Sequence, residues 1–249
     1  MLGEGLLSKI KTAWQVGSDL LYPRDCVHCG QSVPDGAALR YLCPPCLLDV
    51  EIFKPPFCST CGYPFYGVLA GSRSCPHCEE LRPQFNLGRT AFHLQGPMRD
   101  LVHAFKYGTG HFALHDLLAV VLMSPGMKDY ISGAVLVPVP LHPIRKWRRT
   151  FNQSQLVAIE LAQLVSGSRM EGLLRRTRWT GSQTRLSRKQ RRRNMRGAFT
   201  LRRGSVLDPC ARYVVVDDVF TTGSTLNACC AVLRKAGAVD LDILALGHG

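Results

Sequence analysis

Two groups of residues in this chain of 249 could do chemistry. The first is the run Tyr213–Thr225, YVVVDDVFTTGST. Tyr213 to Val216 are apolar or β-branched and suit a buried strand, and Val219 fits the same pattern. Two adjacent carboxylates, Asp217 and Asp218, stand at the carboxyl end of that strand. A hydroxyl-rich loop containing Gly223 follows, and a helical pattern starts at Thr225. In open α/β sheets, ligands bind just past the carboxyl ends of strands. A Gly/Thr/Ser loop entering a helix offers backbone N–H groups and a positive dipole end, which suits a phosphate. The two carboxylates would repel that phosphate, so they suit sugar hydroxyls or a bridging cation. A Walker-type loop is excluded, because no Lys follows the glycine at the required place. The plainer alternative is a strand, turn and helix with a solvated Asp pair.

The second group is sulfur. Eight of the eleven cysteines form four Cys-x-x-Cys pairs: Cys26/Cys29, Cys43/Cys46, Cys58/Cys61 and Cys75/Cys78. Thirteen residues separate the pairs within each set of four, and the second set repeats the first at an offset of 32, a spacing that marks a duplicated unit. Tetrahedral zinc takes four soft ligands from two such knuckles, so two structural zinc ribbons with no open coordination position are expected. Metal binding would supply folding energy to a segment with little apolar material. Disulfides are disfavoured by the spacing and by the lack of an export signal, and an iron–sulfur cluster is the lesser rival. A crossed arrangement, with alternate knuckles sharing a metal, stays open. His28 and His77 read as exposed fillers within the knuckles. Cys210, Cys229 and Cys230 have no partner spacing and read as small buried residues.

These groups need elements to position them. Gly88–Leu94, Ala134–Val139, Tyr213–Val216 and Leu241–Leu246 have strand character. Met98–Tyr107, Phe112–Met123, a stretch from Asn152 or Ser154 to about Val165, and Thr225–Ala236 have helical character. Strands alternating with helices imply an α/β fold with a parallel sheet flanked by helices. Leu6, Ile10, Trp14 and Leu21 recur at helical spacing near the amino terminus, where no secretory signal is evident. No apolar run is long enough to span a membrane. The expected organisation is an amphipathic helix over 1–22, a small double zinc ribbon with four cysteines to each metal over 23–82, and the α/β domain over 83–249, joined near Pro83–Leu87.

Charge is concentrated. The segment His142–Arg203 holds seventeen Lys/Arg against two acids, a balance of +15 within a chain total of +13, which leaves −2 elsewhere. Such a surface attracts polyanions: pyrophosphate, nucleotides or nucleic acid. Within it, Val137–Ser154 (VPVPLHPIRKWRRTFNQS) runs from a strand into a cationic cluster. Arg175–Phe199 is polar and Arg-rich, and reads as a loop or exposed hairpin that could close over an anion or contact nucleic acid, with Trp179 available to stack on a base. Its candidate contacts are Arg188, Lys189, Arg191, Arg192 and Arg193.

The Asp pair and its loop resemble the 5-phosphoribosyl-1-pyrophosphate (PRPP) motif of type I phosphoribosyltransferases. That resemblance implies ribose binding by Asp217 and Asp218, phosphate binding by Thr221, Thr222, Gly223, Ser224 and Thr225, and Mg²⁺ bound with PRPP. It makes Pro138–His142 the pyrophosphate loop, with Arg145 and Arg148 as candidates for the pyrophosphate oxygens because a guanidinium grips two at once. It makes the Arg-rich segment a lid that excludes water.

Taken together, the paired ribbons, FKYG, VPVPLHPIRKWRRTFNQS, the Thr180–Gln183–Leu186–Arg191–Asn194–Gly197 pattern and VVVDDVFTTGST resemble the ComF family. These are competence-associated, phosphoribosyltransferase-like proteins of bacteria. The resemblance covers about Leu20 to Leu246, with one departure: Thr150 stands where the family usually has Gly before PheAsnGln. It implies a cytoplasmic protein of the DNA-uptake machinery; the first helix reads as packed on its own domain, with peripheral contact at the inner membrane as the alternative. It also implies single-stranded DNA, a competence helicase and an inner-membrane DNA channel as partners, and PRPP or a nucleotide as small ligand. Three readings follow: an active Mg-dependent transferase with an unknown acceptor, a single-stranded-DNA-binding module that uses or retains the phosphate site, and a scaffold docking a helicase through its ribbons.

Overall fold

The structure, a computed structural model, describes residues 24–65, 75–76, 78, 81–107, 112–141, 151–178, 188–195 and 197–249. The chain divides into two units, residues 1–50 with 96–117 and residues 51–95 with 118–249. In chain order the elements are helix α1 (Pro44–Leu48), strands β1 (Gly88–Arg89) and β2 (Phe92–His93), and helices α2 (Gly96–Tyr107), α3 (Phe112–Met123) and α4 (Met127–Ile131). Next come strand β3 (Val135–Pro138), helix α5 (Gln153–Leu164), and strands β4 (Arg169–Met170) and β5 (Leu174–Arg176). Helix α6 (Arg188–Met195), strands β6 (Phe199–Leu201) and β7 (Arg212–Phe220), helix α7 (Ser224–Lys235) and strand β8 (Asp240–His248) complete the chain. No helix among the described residues is long and apolar enough to cross a membrane.

In the first unit the leading ribbon folds with α2 and the start of α3. Helix α1 opens with Pro44, where the missing N–H costs nothing. The Tyr41 ring meets Phe112 edge-on at 4.5 Å. Buried Asp116 accepts the backbone N–H groups of Arg40 (3.0 Å) and Tyr41 (2.6 Å). Burial pushes its carboxyl pKa up, against the pull of those two donors. His28 is exposed and pairs with Asp100 of α2 at 2.7 Å.

The second unit is built on an all-parallel sheet. Strands β1 and β2 lie end to end along β8, and the order continues β8, β7, β3, β4. All four residues of β3 and eight of the nine in β8 are buried. Burial on both faces is why these strands read as continuous aliphatic runs rather than alternating ones. Strand β7 runs to Phe220, four residues past the expected end, because it pairs with β8 as far as His248. Its amino end is pinned by Arg212, which bonds Asp242 (3.2 Å) and the carbonyls of Tyr130 and Ser132. The Tyr130 hydroxyl in turn donates to the Ile243 carbonyl at 2.9 Å. The Arg-rich segment stands on a separate antiparallel pair, β5 with β6, and carries α6 between them.

Cys58, Cys61, Cys75 and Cys78 belong to the same buried cluster as Val135, Val137, Tyr213, Val215 and Ile243 of the sheet. The approach is close. Gly88 donates its N–H to the Ser59 carbonyl at 2.8 Å, and a Cβ on Gly88 would lie 2.2 Å from the Thr60 carbonyl oxygen. The oxygen at that contact belongs to backbone, so it cannot swing away. Gly88→Ala is therefore expected to destabilise the fold by about 2 kcal/mol through overpacking. For a chain of this size that lowers the thermal midpoint by roughly 4–8 °C. Scanning calorimetry checks this, and an unshifted midpoint would refute the close approach.

Candidate functional site

Strand order decides where a ligand can sit. The chain leaves β3 through α5 to reach β4 on one side, and leaves β7 through α7 to reach β8 on the other. The carboxyl ends of β3 and β7 therefore flank a topological switch point, the place where open α/β sheets bind ligands. The amino termini of α5 and α7 both start there, bringing positive dipole ends to one spot.

Asp217 and Asp218 are half-buried near the end of β7. Asp217 Oδ1 accepts the hydroxyl of Ser154 from the first turn of α5 (2.9 Å) and the backbone N–H of Asp218 (3.0 Å). Ser154 is itself buried, so this bond fixes one carboxylate oxygen. Asn152 occupies the N-cap position of α5 without capping it. Its amide donates instead to the Val139 carbonyl at 3.0 Å, tying the exit of β3 to the start of α5.

Beyond the acids, Thr221 is exposed, Thr222 and Thr225 are half-buried, and Gly223 and Ser224 are buried. Helix α7 starts at Ser224, one residue earlier than expected. Gly223 is left-handed (φ 65°), and a Cβ there would lie 2.7 Å from the Phe220 ring and 3.0 Å from Leu81 Cδ2. Only glycine turns this corner without strain. The Thr222 and Ser224 hydroxyls lie 2.8 Å apart. The seven candidate residues of the motif thus form one contiguous carboxylate-to-helix edge. Carboxylates of this kind can accept vicinal hydroxyls or hold a divalent cation, and the α7 terminus can take a phosphate.

Leu81 links this loop to the second ribbon. Its N–H bonds the Cys78 carbonyl at 2.9 Å. The next residues are strapped to α7: Asn227 accepts the Gln84 N–H (2.7 Å) and donates to the Arg82 carbonyl (3.0 Å). Arg234 Nε donates to the Gln84 carbonyl at 3.2 Å.

Arg193 is exposed on α6. Arg145 and Arg148, the helix expected over 1–22, His77 and residues 179–187 lie outside the described residues. So do the side chains of Arg188, Lys189, Arg191 and Arg192. Cys229 and Cys230 are buried as expected, and burial pushes both thiols up, which makes them poor nucleophiles. Cys210 is exposed, contrary to expectation, in the turn that precedes β7.

The cysteines gather as Cys26, Cys29, Cys43 and Cys46, and as Cys58, Cys61, Cys75 and Cys78, each set with its sulfurs within 4.8 Å of one another. The pairing is sequential and not crossed. A tetrahedral zinc with bonds of 2.3 Å separates its sulfurs by about 3.8 Å. Cys29 and Cys43 lie 3.6 Å apart, and Cys61 and Cys75 lie 3.5 Å apart, so both sites fit zinc. Four clustered thiols cannot all ionise unaided. The hydrogen-bonded contact with Cys58 pushes Cys61 and Cys78 up, while Cys61 pulls Cys58 down. A bound divalent cation stabilises all four thiolates together. At the first site burial opposes ionisation of Cys26, but the N–H groups of Cys43, Cys29 and His28 bring its pKa down to about 6.

A double zinc ribbon domain model matches residues 17–79. Competence protein F of Haemophilus influenzae is 29% identical over 227 residues, covering 90% of this chain and 96% of its own. The DNA utilization protein YhgH of Escherichia coli O157:H7 is 30% identical over 194 residues, covering 76% of this chain and 82% of its own. The chain belongs to the ComF family. Competence protein ComFC of Streptococcus pneumoniae, 26% identical over 235 residues, covers 89% of this chain and 98% of its own. As a ComF-family chain it carries a double zinc ribbon with two four-cysteine sites suited to zinc.

Two residues of the candidate site in this ComF-family chain carry no local signal. Ser154 meets Asp217 across 63 positions, and Leu81 meets Gly223 only in the fold. The wild-type chain is expected to carry two zinc ions, and Cys46→Ser or Cys61→Ser one each, by elemental analysis. Because Cys61 is in the sheet's own core, its variant should lose at least about 3 kcal/mol, in the range for losing a buried structural element. Equal thermal midpoints for the two variants would contradict that difference.

Proposed function

We propose that this chain is a component of the DNA-uptake machinery whose phosphoribosyltransferase-type domain binds PRPP. In this reading Asp217 and Asp218 would hold the ribose hydroxyls together with a Mg²⁺ that would neutralise phosphate charge, and Thr221, Thr222, Gly223, Ser224 and Thr225 would hold the 5-phosphate. Arg145 and Arg148 are assigned to the pyrophosphate. The observation that carries the reading is the acidic pair at the switch point, followed by a left-handed glycine and a helix amino terminus. A competence protein and a DNA utilization protein among its relatives support placing it with incoming single-stranded DNA, which the basic segment would contact. The competence helicase, the inner-membrane channel and a cytoplasmic location belong to the same proposal.

A second reading, an active transferase, rests on the same acidic pair at the end of β7. There Asp217 and Asp218 would stabilise positive charge developing on the ribose as pyrophosphate leaves.

Calorimetry of the zinc-loaded protein with PRPP and Mg²⁺ tests the first reading. Asp217→Asn should weaken binding about 10- to 100-fold, matching about 1.5–3 kcal/mol for a charged hydrogen bond. Ser154→Ala should weaken it roughly fivefold, about 1 kcal/mol. Absence of PRPP binding in the wild type refutes the reading, and phosphorus NMR separates binding from turnover. For the strand, replacing Arg191, Arg192 and Arg193 with Ala should lower the log–log salt slope of single-stranded DNA binding by about 2. An unchanged slope would remove α6 from the DNA surface.

A further inference from the structure

Beside α7 lies a cavity of ≈ 1170 Å³ that shares only Ser224 with the site proposed for ribose phosphate. It is larger than a site for a lone small anion needs, since ligand pockets run to roughly 300–1,000 Å³. Its walls are the end of α6, strand β6, the outer face of α7 and the strap that leaves the second ribbon. Met195 and Phe199 are buried behind it, while Leu201, Ala228 and Val232 are only partly covered and leave an apolar floor in water. The small side chains of Ala228 and Ala231 keep that floor open.

The rim is cationic. Arg82, Arg193 and Lys235 all line the cavity, and no carboxylate does among the described residues. No described residue forms an ion pair with any of the three. The amide of Asn227 is already committed to Gln84 and Arg82, so the floor offers contact area and little polar readout. Along α7 the floor runs from Ala228 to Val232, about 6 Å at 1.5 Å per residue. That is the length of a ring system and too short for an acyl chain.

We infer that this groove binds a nucleotide, its base lying on the Leu201–Ala228–Val232 floor and its phosphates held by Arg82, Arg193 and Lys235. The site meets the phosphate loop only at Ser224, and it is distinct from the site proposed for PRPP. Recognition through an apolar floor is tolerant of base identity. The nucleotide is either free or one unit of a single strand, and the chemistry is the same.

The test is calorimetry of the full-length zinc-loaded chain with adenosine 5′-triphosphate, inorganic tripolyphosphate and a thymidine dodecamer, each with and without saturating PRPP. ATP should bind in the presence of PRPP, and tripolyphosphate, lacking a ring, should bind at least tenfold more weakly. Ala231→Trp, which fills the groove from an exposed helical position, and Lys235→Glu should each weaken ATP at least tenfold. Ala231→Trp should leave PRPP affinity within twofold, and circular dichroism would show that both variants fold. Competition by the dodecamer, lost in Ala231→Trp, supports the site with a strand as the source. ATP binding without such competition supports it with a free nucleotide. Equal affinity for tripolyphosphate and ATP, or no effect of Ala231→Trp, overturns the inference. ATP binding that Asp217→Asn abolishes also overturns it, because the nucleotide would then occupy the ribose-phosphate site.

Discussion

The candidate site depends on the gap between the carboxyl ends of β3 and β7. It exists because two crossovers in one parallel sheet run to opposite sides. Parallel strands require such crossovers, and their handedness is nearly invariant. Once β3 leads to β4 and β7 leads to β8, both helix amino termini and the acidic pair must converge on that opening. Ser154 then reaches Asp217 from the neighbouring crossover, so one carboxylate is oriented by an element that is remote in the chain.

The second constraint is the metal-ligand cluster beneath the loop. Four thiol side chains share the buried cluster of β3, β7 and β8. Fully buried thiolates are unfavourable unless a cation accompanies them. The core and the metal are therefore one energetic unit, and Leu81 carries that unit to the glycine that turns the phosphate-type loop. The first cluster stands in a different setting, among α2 residues and buried Asp116. Two ligand sets of equal spacing thus occupy unequal surroundings.

Most of the sheet was legible because burial on both faces writes itself as runs of Val, Ile and Leu, as in β3 and β8. The end of β7 was not. Asp217 and Asp218 interrupt the apolar pattern, and only pairing with Ala245, Gly247 and His248 keeps the strand going. Helix α6 was hidden for a different reason. Its residues RKQRRRNM give almost no apolar periodicity, and it is held by contact with α7. The cysteine spacing identified two ligand sets, while their sequential pairing needed the positions of the sulfurs. Cys210 misled because composition favours burial for this residue type, and a turn places it in solvent.

The strap from Leu81 to Asn86 has a consequence for how this protein can change over time. Its hydrogen bonds to Asn227 and Arg234 join the second ribbon to the helix that forms the loop. Modules that touch through a linker can be exchanged or lost by recombination, and their partners still fold. Here the second ribbon supplies interior wall, so gene fusion or deletion that separates it from the sheet also removes part of the sheet's interior. Lineages that discard the metal at this position must refill the interior with hydrocarbon in the same step.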